Sequence, residues 1–79
     1  MECRRLLFSG HAVQRMFERA ITDADVRAVI THAEVVSDYP DDTPYPSRLL
    51  LGFVRGRPLH VVLSYDQDRD ECHVITVYE

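Results

Sequence analysis

The order of hydrophobic periods along the chain predicts an α+β fold: two N-terminal helices packed on an antiparallel sheet, in the order β-α-α-β-β-β-β. Three observations carry this. Residues 11–20 and 22–33 repeat their apolar side chains at helical spacing, whereas the chain after residue 33 is β-branched, aliphatic or turn-forming. Turn signals at Pro40–Ser47, Arg55–Pro58 and Gln67–Glu71 divide that second half into four short strands. A chain of 79 residues can bury one small core and no second one, so residues 1–79 are read as a single domain.

Each element has its own signal. The opening CRRLLF is a short strand bounded by Ser9 and Gly10. In the first helix, Ala12, Val13, Met16, Phe17 and Ala20 share one arc, and His11, Gln14, Arg15, Glu18 and Arg19 the opposite one. Ser9 is its expected N-cap. Thr22 is expected to cap the second helix, with Asp25 three residues on completing a capping box. Val26, Val29, Ile30 and Ala33 form that helix's apolar side, and His32 suits the dipole at its end. EVVSDY is a strand truncated by Pro40, which suits an edge. RLLLGFV and PLHVVLSYD form a hairpin around Arg55-Gly56-Arg57-Pro58. In the last strand, alternation puts Cys72, Val74, Thr76 and Tyr78 on one face and His73, Ile75 and Val77 on the other.

Composition narrows the function classes. The net charge is −4 and all nine cations are arginine. Acidity argues against strong non-specific nucleic-acid binding, which phosphate contacts dominate. It leaves room for a local site, because arginine's planar fork suits bidentate phosphate contacts. No apolar run approaches the roughly 20 residues that span a bilayer. The N-terminus lacks the apolar stretch of a signal peptide. A soluble, cytoplasmic protein without membrane partners is expected. One bridge between Cys3 and Cys72 at the chain ends is possible, but two reduced, half-buried thiols are expected, and with neither in a CxxC pair structural zinc is not.

Two groups of residues can carry chemistry. His11, Arg15 and Arg19 follow one another at four-residue spacing, within about 80° of helical arc. Such a stripe can present an acid–base group beside two phosphate-binding guanidiniums. It can equally be a solvated face, with the arginines paired to Glu18 or Asp23. His60 sits in an aliphatic strand, on one face with Val62 and Ser64. It is either a satisfied sheet histidine or, with Thr76 and Tyr78 on the same face, part of an imidazole-and-hydroxyl patch. There is no Gly-rich phosphate loop, nucleophile elbow or HExxH, and the acidic run after Tyr65 lacks the glycine of a calcium loop. No metal site and no cofactor are predicted.

The blocks HAVQRMFERAI, GRPLHVVLS and VITVY, in that order, resemble the small bacterial domain-of-unknown-function family numbered 4258 across residues 9–78. Ala20 departs from the pattern, which often has glycine between the helices. The resemblance implies a RelE-like fold and a toxin of a type II toxin–antitoxin pair, acting as a metal-independent endoribonuclease. It implies a neighbouring antitoxin with zinc-binding and helix-turn-helix parts. On that reading His11 and His60 exchange protons, Tyr78 assists, and Arg15, Arg19 and Thr76 hold the RNA. The alternative expectation is a non-enzymatic interaction module that docks a partner through its sheet edge or the acidic loop Asp38–Asp42.

Overall fold

In a computed structural model describing residues 1–79, the chain runs β1 (Arg5–Phe8), α1 (Gly10–Arg19), α2 (Asp23–His32), β2 (Glu34–Tyr39), β3 (Ser47–Val54), β4 (Arg57–Asp66) and β5 (Glu71–Tyr78). The element order and the α+β class are those the sequence predicts. The five strands form one sheet in the order β1-β5-β4-β3-β2. Strands β2 to β5 are an antiparallel meander, while β1 pairs in parallel with β5, Leu6 opposite Cys72. No helix is long and apolar enough to cross a membrane.

Local chemistry sets the helix ends. The Ser9 hydroxyl accepts from the Ala12 amide at 3.0 Å and donates to the Ile75 carbonyl at 2.8 Å, so one side chain starts α1 and ties it to β5. Ala20 ends α1 in the left-handed region, φ 55 and ψ 40. The Thr22 amide donates to the Asp25 carboxylate, and the Asp25 amide to the Thr22 hydroxyl, completing the expected capping box. The β3–β4 turn is tighter than the four residues expected. Val54 pairs with Arg57, leaving only Arg55 and Gly56, at φ 51 and 78, as a two-residue turn.

Both helices pack on one face of the sheet. Val26, Val29 and Ile30 of α2 and Ala12 of α1 are buried against Leu50, Leu59, Val61, Leu63, Val74 and Val77. Helix α2 lies so close to β3 that a Cβ on Gly52 would stand 3.0 Å from Val29 Cγ2. Helix α1 packs differently from its predicted arc. Ala12 is buried, but Val13 is 54% and Phe17 88% exposed. Contact centred on Ala12 and Met16 leaves Val13 and Phe17 about 100° and 140° from Ala12, while Arg19 lies only about 20° away.

Two further expectations are corrected. Cys3 and Cys72 are not free thiols but a disulfide, their Cα atoms 5.7 Å apart. The parallel β1–β5 pairing brings the start of the chain alongside Cys72. The faces of β5 also differ from simple alternation. Val62 pairs with Thr76 and Leu63 with Val74, so Ile75 is an extra, bulged residue. The bulge resets the alternation: Cys72, Val74 and Val77 point into the core. His73, Thr76 and Tyr78 take the other side.

Candidate functional site on the open face of the sheet

With both helices on one side, the other side of the sheet is uncovered within the chain. Strand β4 presents His60, Val62 and Ser64 there, because Leu59, Val61 and Leu63 alternate into the core. Register places Tyr78 opposite His60 and Thr76 opposite Val62. The His60 and Tyr78 rings stack with centroids 4.5 Å apart and planes 7° from parallel. His60 Nδ1 is buried without a hydrogen-bond partner. Buried polar atoms are seldom left unpaired, and this nitrogen, closed off from solvent, has no partner within the chain. The sequence-predicted patch of His60, Thr76 and Tyr78 therefore shares one face, although the bulge, not plain alternation, puts it there.

The α1 stripe divides. The His11 side chain is exposed and takes part in no side-chain hydrogen bond or ion pair. Arg15 is half-buried, and its Nε is the other buried side-chain nitrogen without a partner. Arg19 pairs with neither Glu18 nor Asp23; its Nη1 lies 3.8 Å from Glu79 Oε1. Asp23 is held by Arg27 instead. Glu79 follows Tyr78 directly, so Arg19 reaches the end of β5 one residue beyond the stacked ring. No hydrogen bond, ion pair or ring stack joins His11 or Arg15 to His60.

At the same end, Arg55 grips Asp25 with both terminal nitrogens, at 3.0 and 3.1 Å. The Arg55 hydrogen bonds, followed by the Thr22 amide, hold the Asp25 carboxyl below its ordinary range, and Asp25 in turn raises the Arg55 pKa. Arg57 Nη2 meets Glu79 Oε2 at 2.7 Å.

A second cluster on the open face escaped the sequence reading. His73 Nε2 lies 2.8 Å from Glu71 Oε1, and Glu71 Oε2 lies 3.3 Å from Arg5 Nη1. Tyr45, from the proline-rich loop, stacks on the His73 ring, centroids 6.3 Å apart. Ser64 is its cross-strand neighbour. Counting alternation through the bulge grouped His73 with Val77, and nothing local in the sequence marks the bulge. Ser64 lies four residue steps along β4 from His60, so the two imidazole stations lie about 13 Å apart along the strand. No group of three or more His, Cys, Asp or Glu side chains is gathered as a metal-ion site.

No curated protein and no solved structure matches this chain. One family model does, over residues 8–79, which take in both helices, the meander and every polar group gathered around His60 and Glu79. On that match the chain belongs to the family described as Domain of unknown function (DUF4258).

Proposed function

We propose that this protein is a toxin-type, metal-independent endoribonuclease whose RNA lies on the open face of the sheet. The observation that supports it best is His60, an imidazole held flat against Tyr78 with one buried ring nitrogen left unpartnered. Metal-free cleavage needs a base for the 2′-hydroxyl proton, positive charge on the scissile phosphate and an acid for the departing 5′-oxygen. Imidazole exchanges protons near neutral pH, and guanidinium stabilises the developing charge. His60 is assigned the first proton transfer, with Tyr78 fixing its ring and Thr76 two register positions along, on the same face. His11 is the proposed second proton-transfer group and Arg15 and Arg19 the phosphate contacts, acting from the helix side around the end of β5, where Arg19 meets Glu79. Phe53, 70% exposed on β3, and Tyr45 beside His73 offer ring faces on which unstacked bases can rest. The proposed partner is an antitoxin encoded beside it, covering the arginines of α1.

A second reading, a non-enzymatic module that docks a protein partner, is favoured by His11 and His60 lying on opposite sides of the sheet, with no contact between them, and by the exposed Phe17 on α1. Expression without a partner separates the two. The nuclease reading expects growth arrest that His60→Ala relieves, and RNA cleavage by the purified protein that persists in EDTA. A docking module expects neither.

A further inference from the structure

Two guanidiniums from distant parts of the chain converge on one carboxylate where the β3–β4 hairpin meets the end of α1. Arg19 closes α1 and Arg57 opens β4. They divide the Glu79 carboxylate between them, Arg57 Nη2 at 2.7 Å from Oε2 and Arg19 Nη1 at 3.8 Å from Oε1. The third guanidinium at this end, Arg55, is committed on both terminal nitrogens to Asp25, which the Thr22 cap also holds. All five charged side chains line a single cavity with Leu59 on its wall. Three cations face two carboxylates there, and the N-terminus of α2 beside Asp25 adds positive potential.

Exposure tells which partner is the ligand. The Arg19 and Arg57 side chains are 53% and 73% exposed, whereas that of Glu79 is 28% exposed. The arginines are two arms reaching from solvent, and the carboxylate is the anion between them. Two oxygens presented to two guanidiniums are also what a phosphate group offers, and arginine suits that geometry. Exposed ion pairs are weak enough for another anion to exchange with the resident one.

We propose that Arg19 and Arg57 form a phosphate-binding site whose internal occupant is the Glu79 carboxylate, displaced when a phosphodiester binds. The inference rests on the nuclease reading for the identity of the ligand. The clamp lies on the helix side of the sheet, with Ile21 and Leu59 in its wall, just past Tyr78, so an RNA strand stacked on the open face at His60 would reach it with a flanking phosphate only by passing over the end of β5. Glu79 then acts as a gate: it holds the clamp in shape without ligand and keeps free anions out.

The test is a titration with inorganic phosphate, and separately with an uncleavable 2′-deoxy tetranucleotide, at constant ionic strength. The arginine Nε–H signals are followed by NMR in the wild type, Glu79→Gln, the double variant Arg19→Gln/Arg57→Gln, and Asp68→Asn. The last makes the same charge change in an exposed turn. Glu79→Gln is expected to bind phosphate about three- to tenfold more tightly than the wild type, the scale of two weak ion pairs. Asp68→Asn should bind like the wild type, and the double variant should lose the saturable shift. Equal affinity in the wild type and Glu79→Gln, or binding that survives in the double variant, overturns the site. If phosphate follows the expected pattern but the tetranucleotide does not bind, the clamp stands and its ligand is a free phosphate. If RNA is cleaved but Glu79→Gln changes nothing, the nuclease reading stands and this inference fails.

Discussion

Ala20 carries a conformation that its side chain disfavours. At φ 55 and ψ 40 it donates its amide back to α1 and turns the chain toward α2. A left-handed alanine costs about 1–2 kcal/mol, and glycine escapes this at a smaller cost in chain entropy. Ala20→Gly is therefore expected to stabilise the protein by about 0.5–1 kcal/mol, read as a higher urea midpoint with an unchanged slope. Legibility at this scale depended on how far a residue's position rests on local geometry. Ser9, Thr22 and Asp25 were readable because a cap is a contact over three residues. His73 was not, because its orientation depends on the extra residue Ile75 between it and Thr76.

Helix α2 shows how one side chain joins two elements. Asp25 completes the cap of α2 and binds Arg55 in the β3–β4 turn, fastening the helix start to the hairpin tip. Its carboxyl titrates below the ordinary value of 3.8. A lowered folded-state pKa gives stability that is fully present above the unfolded value and is lost as pH falls through the folded one. Asp25→Asn should accordingly cost about 1 kcal/mol at neutral pH. The gap to the wild type should narrow steadily below about pH 4. Urea unfolding at pH 7 and pH 3 measures it, and an equal gap at both would remove the ionised pair from the account. The sequence made both helices visible but misplaced the contact of α1. Its period fits an apolar arc through Val13 and Phe17, yet packing against β5 through Ala12 and Met16 decides which border turns outward.

The whole molecule is closed by joining its first strand to its last. Strand β1 pairs with β5 over only four residues, and the Cys3–Cys72 disulfide fixes that junction across a sequence separation of 69. Nothing local announces a parallel pairing between chain ends, so the two cysteines read as separate thiols until the topology is known. A cross-link over so long a loop removes much unfolded-state entropy, and a core this small has little stability to spare. Cys3→Ser/Cys72→Ser, or reduction, is expected to cost about 2–4 kcal/mol in denaturant unfolding. The same sheet leaves one face to its own helices and the other, with His60 and Tyr78, open. That the open face cleaves RNA is the central claim, and the direct measurement is the rate at which purified protein cuts RNA in EDTA, wild type against His60→Ala of matched circular dichroism. The account predicts cleavage by the wild type and a loss of about 10²–10⁴-fold in the variant. Equal rates in the two proteins, or intact RNA with the wild type, would contradict it.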